Sequence, residues 1–194
     1  MKDKIRIVAN EIVAKNWATL RQVTYDILTR KGQWETHVRE AYDRGNGAAI
    51  MLYKREKSTV ILTRQFRLPT FINGNAAGTL IEACAGILDK ENPADCIKRE
   101  TEEETGYRIT EVEKVFEAYM SPGSVTELLY CFIAEYSDGM KLHEGGGLKE
   151  EEEDIEVLEV SFDSAYRMIA DGSIRDGKTI MLLQYLKIHC FSHL

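Results

Sequence analysis

Residues 86–107 read GILDKENPADCIKRETEEETGY, and the rest of the chain is best understood from this stretch outward. Asn92 is a good N-cap, Pro93 sits at a first helical position that needs no amide hydrogen, and Gly106 stands where a left-handed cap closes a helix. These signals predict a helix of about 13 residues. Its second half carries Glu100, Glu102, Glu103 and Glu104, like charges that repel one another at helical spacing.

A helical wheel sorts them. With Ile97 at zero and 100° per residue, Ala94 and Thr101 fall at about +60° and +40°, so the buried stripe centres near +30°. Glu104 lies at about −20°, Glu100 at about −60° and Glu103 at about −120°, while Glu102 points away at about +140°. Three carboxylates therefore share a face that borders the core. A solvated acidic helix, the bland alternative, would turn them to the opposite side. Carboxylates crowded beside a core suffer repulsion and desolvation, and a hard cation held by oxygen ligands, magnesium above all, relieves both.

Before this helix, residues 5–13, 18–28 and 33–42 are β-prone, the last two flanking the turn Arg30–Gly32, and predict an N-terminal antiparallel sheet. The breaker DRGNG at 43–47 places a domain boundary near residue 45, giving an N-terminal β domain over 1–45 and a larger domain over 46–194. In the larger domain, strands are expected at 48–53, 58–67, 79–87, 112–120, 127–136 and 155–162, and helices at 163–172 and from 177 onward. LPTFINGNAAG, before residue 79, reads as a loop. Strands before, between and after a few helices indicate an α+β protein with a mixed sheet.

Composition bounds the function. The 194 residues are 44% hydrophobic and 29% charged, an ordinary globular balance. A formal net charge of −7 speaks against sequence-independent nucleic-acid binding through a basic surface. It leaves room for a phosphate-bearing small molecule, since a divalent cation inverts the local charge logic. The first residues, MKDKIRIVANEIVAKN, contain no signal-peptide core, and no later stretch approaches a membrane span, so a cytoplasmic location is expected. Four cysteines without a C-x-x-C pair read as buried thiols.

Gly86, four residues, Glu91, seven residues, and then Arg99-Glu100-Thr101-Glu102-Glu103-Glu104-Thr105-Gly106-Tyr107 resembles the Nudix hydrolase signature. That pattern has five residues after its glycine and aliphatic residues at the positions of Thr101 and Tyr107, so there are three departures here. The resemblance implies an α/β/α sandwich with a mixed sheet, to which the N-terminal antiparallel sheet is added. It also implies magnesium-assisted hydrolysis of a nucleoside diphosphate linked to another group. By position, Glu100, Glu104 and the carbonyl of Ala85 are implied metal ligands, Glu103 is a ligand or a water-orienting base, and Arg99 steadies the carboxylates. EEEED at 150–154 follows three glycines at 145–147 and alone reads as a mobile acidic loop. Under the resemblance it brings Glu153, with Glu152 behind it, to the metal and substrate, the glycines supplying mobility.

The segments REAYDRGNGAAIMLY, RQFR, LIEACAGILD, YMSPGSVTELLY, EDIEVLEV and IRDGKT are similar to the branch of that family that splits GDP-mannose into GMP and mannose 1-phosphate. The similarity implies a homodimer with exchanged N-terminal sheets. It assigns Arg67 to phosphate and places Glu127 and Lys178 beside the substrate, next to Ala85, Glu104, Glu152 and Glu153. Trp17 and Val38, Arg39 and Glu40 are to complete the partner's site. ADP-ribose is the rival substrate, and a nucleotide-binding regulator with the same fold is the non-enzymatic rival.

Overall fold

The computed structural model describes residues 4–88 and 91–192. Part of the spacer between Gly86 and Glu91, residues 89–90, lies outside the described residues. By its contacts the chain separates into two compact units, Met1–Asn46 with Ala118–Leu129, and Gly47–Glu117 with Tyr130–Leu194.

In the first unit, β1 (Ile5–Lys15), β2 (Thr19–Leu28) and β3 (Trp34–Asp43) form an antiparallel sheet in that order. The expected spans hold to within two residues. Register shifts between Ile7 and Ala9 and between Ile12 and Ala14 mark bulges in β1, which is an edge strand. The segment Ala118–Leu129 joins this unit through backbone bonds: Tyr42 N–H donates to Ser124 O (2.8 Å) and Thr126 N–H to Tyr42 O (3.0 Å).

The second sheet is built from β4 (Gly47–Lys54), β5 (Thr59–Phe66), β6 (Thr79–Glu82), β7 (Cys84–Ile87), β8 (Glu113–Tyr119), β9 (Leu128–Glu135) and β10 (Glu156–Ser161). Its order is β10-β5-β4-β9-β8, with β6 on β5 and β7 on β4. The helices are α1 (Leu68–Ile72), α2 (Pro93–Thr105), α3 (Phe162–Ala170) and α4 (Gly177–His189). Every residue of β4 is buried, which explains its unbroken apolar run: both faces of the strand are covered. Ile50 and Leu52 pack with Ile97 of α2 in one core cluster, and α4 also packs on β4. This is the α+β sandwich expected from the sequence.

Two features depart from expectation. The loop LPTFINGNAAG contains α1, a single short helix with Arg67 at its N-cap. The strand expected over 79–87 is two strands, broken at Ala83, because β6 and β7 pair with different neighbours. The amide freed at the break is not lost, since Ala83 N–H donates to Thr179 Oγ1 of α4 at 2.7 Å. Among the described residues no helix is long and apolar enough to cross a membrane.

The helix α2 has the predicted ends. Asn92 accepts from the amides of Ala94 and Asp95, each at 3.0 Å, and Gly106 closes the helix at φ 79° with its N–H on Glu102 O. Thr101 can take an aliphatic position because its hydroxyl donates to Ile97 O at 2.5 Å, leaving its methyl to the core. Removing the N-terminal cap with Asn92→Ala is expected to cost about 1 kcal/mol. A lower urea midpoint with an unchanged slope would show it; an unchanged midpoint would mean the cap is redundant.

Candidate active site

Burial on α2 follows the wheel. Glu104 is 1% exposed, whereas the Glu100 and Glu103 side chains keep 13% and 24% of their surface. Glu102 faces away, as expected, but it is not merely solvated: Arg108 grips both its oxygens, at 2.8 and 2.7 Å, and the hydrogen bond lowers its pKa. Arg99 is the local counterion. Its guanidinium reaches Glu100 (3.0 Å), Glu103 (2.8 Å) and Glu91 (3.3 Å). Burial alone would lower the Arg99 pKa, but Glu100 and Glu103 hold it above its ordinary value.

Glu104 lies beyond that counterion's hydrogen bonds. Burial pushes its pKa up to about 8; the Cys84 thiol, donating to it, pulls the value back, Glu153 and Glu100 raise it, and Arg67 lowers it. Its Oε2 is buried without a hydrogen-bond partner. Glu100 meets a different constraint, because a Cβ placed on Gly86 of β7 would occupy the position of its carboxyl group. Glycine at 86 therefore lets strand backbone and carboxylate approach closely, beside Ala85, whose carbonyl is one implied ligand. A hard cation would satisfy the orphaned oxygen and use this close approach. Among the described residues no three carboxylate, imidazole or thiol groups already surround one point.

The glycine-rich loop is bonded to the end of α2. Gly145, Gly146 and Gly147 have φ of +73°, +112° and +79° and lie against the end of α2. Gly146 N–H donates to Glu104 O (2.9 Å) and Gly147 N–H to Glu103 O (3.1 Å), while Gly146 O accepts from Ile155 N–H (3.2 Å). A Cβ on Gly145 would strike the backbone of Glu104 and Thr105. All three are in the left-handed region; Gly145 serves close backbone packing, and the amides of Gly146 and Gly147 strap the loop to the helix. Glu153 follows from the strap: its carboxylate accepts from Leu148 N–H at 3.1 Å and lies against Gly147. Glu152, left-handed at φ 58°, and Glu153 line a cleft of about 540 Å³ with Arg67, Phe66 and Thr79.

Arg67 and Lys178 are joined by a residue that the sequence reading did not single out. Glu82, 3% exposed at the end of β6, accepts from Arg67 Nε and Lys178 Nζ, each at 2.7 Å, one on each oxygen. Asp176 adds a second carboxylate to Lys178 at 3.1 Å. Burial alone would lower the Lys178 pKa, but Glu82 and Asp176 raise it. The only signal in the sequence was an acidic residue inside an otherwise apolar strand, LIEACAG.

The remaining expected residues belong to the first unit. Trp17, in the β1–β2 turn, is 70% exposed; Val38, Arg39 and Glu40 lie on β3, where the Arg39 guanidinium donates to Val38 O at 2.8 Å. Arg39 and Glu40 line a cavity of about 670 Å³ with Tyr25, Tyr119 and the turn 122–126. Glu127 is buried and accepts from Arg44 Nη2 at 2.5 Å.

Known proteins match this arrangement along the whole chain. Residues 4–42 match the family described as the GDP-mannose pyrophosphatase NudK N-terminal domain, and residues 43–183 match the NUDIX domain. A GDP-mannose pyrophosphatase of Yersinia pestis (strain Pestoides F) is 54% identical over 191 residues, 98% of this chain and 96% of its own. The protein of that name from Escherichia coli O1:K1 / APEC is 54% identical over 194 residues, 100% of this chain and 99% of its own. Among solved structures, the crystal structure of an ADP compounds hydrolase superposes with a TM-score of 0.69 over 96% of each chain, at 18% identity, which speaks to the fold alone. The chain belongs to the Nudix hydrolase family.

Proposed function

We propose that the protein is a magnesium-dependent pyrophosphatase of nucleotide sugars that splits GDP-mannose into GMP and mannose 1-phosphate. The observation that carries this reading is the buried Glu104 oxygen left without a partner on a face it shares with Glu100 and Glu103, in a chain 54% identical to proteins named for that activity. When bound, magnesium would neutralise diphosphate charge and acidify a water molecule. Glu100, Glu104, Glu153 and the Ala85 carbonyl are the residues suited to hold it.

The protein's own groups have distinct tasks. Arg99 keeps Glu100 and Glu103 from splaying apart. Glu103 or Glu153 takes the proton of the attacking water, since each carboxylate is fixed by one strong bond, to Arg99 or to Leu148 N–H. Arg67 and Lys178 bind the diphosphate, Arg67 with the planar fork suited to phosphate. Glu127 and Glu152 approach the sugar-nucleotide.

The same reading makes the protein a homodimer in which Trp17, Val38, Arg39 and Glu40 of one copy serve the other. In support, the first unit leaves Ile7 (62%), Val8 (60%) and Trp17 (70%) exposed, large apolar side chains that a second copy would cover. Four cysteines outside any disulfide among the described residues suit a cytoplasmic location.

Hydrolysis in oxygen-18 water with magnesium tests substrate and attacked phosphorus together. GDP-mannose is expected to yield GMP and mannose 1-phosphate, and to exceed ADP-ribose and ADP-sugars in kcat/KM. An advantage of more than about tenfold for ADP-ribose would overturn the assignment, a factor worth about 1.4 kcal/mol.

Glu104 gives a second test, read by stability. The unfolded chain releases this proton near 4.5 and the folded protein near 8, so between those values unfolding releases a proton and stability falls as pH rises. Glu104→Gln lacks that penalty. In chelator its stability advantage over wild type should grow from about pH 5 to pH 8 and reach about 3 kcal/mol at pH 7. Magnesium should raise the melting temperature of wild type, not of the variant, and Glu104→Gln should lose activity at least about a hundredfold. A stability gap that ignores both pH and magnesium would remove Glu104 from the ligand set.

A further inference from the structure

Glu82 is the least exposed carboxylate outside the α2 cluster that touches two residues assigned to the diphosphate. It is 3% exposed, and its oxygens are divided, Oε2 to Arg67 Nε and Oε1 to Lys178 Nζ. The division matters for Arg67. A guanidinium offers five N–H donors in a rigid fork, and a bond at Nε fixes the plane while leaving the two terminal amines for a ligand. Among the described residues no hydrogen bond engages those terminal amines, and Arg67 lines the cleft that also holds Glu153. Lys178 is seated by two carboxylates, Glu82 and Asp176, and Asp176 is itself fixed as the N-cap of α4 by the amide and hydroxyl of Thr179. The Thr179 hydroxyl also accepts from Ala83 N–H, the residue after Glu82, so β6, the break at Ala83 and the start of α4 form one hydrogen-bonded frame.

We propose that Glu82 is a positioning residue: one buried carboxylate that locks Arg67 at Nε and Lys178 at Nζ so that both cations present fixed donors to the diphosphate. The inference rests on the assignment of Arg67 and Lys178 to that group. Glu82 itself touches no substrate. A plain structural role, neutralising a buried lysine, is the alternative, and the two differ in what they do to turnover. Removing an anion from between two cations does not weaken ground-state attraction for a diphosphate. It releases the guanidinium to sample other orientations, and that loss is felt most where phosphoryl charge develops in the transition state.

Steady-state kinetics of Glu82→Gln, on the nucleoside diphosphate derivative that wild type turns over fastest, tests this with magnesium present. Kcat should fall by about thirtyfold or more with KM not raised, and calorimetric affinity for GDP without magnesium should stay within about threefold of wild type or tighten. In an Arg67→Ala background the same substitution should cost clearly less than in wild type, because one of the two residues it acts through is gone. Kcat within about threefold of wild type would overturn the proposal. So would losses that multiply across the double variant, or a KM that rises together with lost GDP binding.

Should Glu82→Gln strand Lys178 and fail to fold, the comparison moves to Lys178→Met, where no buried ammonium is left unpaired. There, adding Glu82→Gln should still lower kcat by about tenfold, and no further loss would count against the proposal. Because substrate choice is read from wild type and positioning from ratios between variants, a wrong substrate and a wrong role for Glu82 give different results.

Discussion

The second unit is organised around one carboxylate buried with too few partners. Glu104 is 1% exposed and, among the described residues, has an oxygen with no hydrogen bond and accepts only the weak donation of a thiol. A group of this kind ordinarily costs several kcal/mol unless something pairs with it or it is neutralised. Here protonation neutralises it, with a pKa near 8. The cost lies at the end of a helix whose two ends are otherwise well capped, by Asn92 and Gly106. The helix can therefore hold a destabilising residue in a fixed place, as functional sites commonly require.

The surrounding elements keep that place narrow. Gly86 lets β7 come against the Glu100 carboxyl, and Gly145 to Gly147 let the acidic loop lie on the backbone of residues 103–105. The missing Cβ matters at Gly86, against the Glu100 carboxyl, and at Gly145, against the backbone of Glu104 and Thr105. The loop is tied to the helix by bonds to the carbonyls of Glu103 and Glu104 themselves, so the backbone that carries the candidate ligands also places Glu153.

What could be read from the sequence was what is local. The caps of α2, the inward turn of Glu104 and the outward turn of Glu102 follow from neighbours three or four residues apart, and all appear in the structure. The bond from Glu82 to Lys178 spans 96 residues, and the hydroxyl of Thr179 that permits the strand break at Ala83 is equally distant. No pattern within β6 or β7 could announce either. The bonds of the glycine triplet to α2 were hidden for another reason: composition alone does not show whether residues with φ > 0 and no side chain also pack against a helix. α1 was missed because five residues are too few to show a helical period.

Two buried glutamates, 3% and 1% exposed, make opposite use of the same low-dielectric surroundings. Glu82 has a cation on each oxygen, so it consumes its capacity as a ligand and fixes its partners. Among the described residues Glu104 has no cation in hydrogen-bond contact and keeps that capacity. Arg67 links the pair, bonded to the first and close enough to lower the pKa of the second. A diphosphate bridging Arg67 and a cation on Glu104 would place its negative charge between a preset donor and a metal held by an otherwise unsatisfied acceptor. On the proposed function, the unequal pairing of the two carboxylates would set the polarity of the site: anion-binding donors around Glu82, cation-binding oxygens around Glu104.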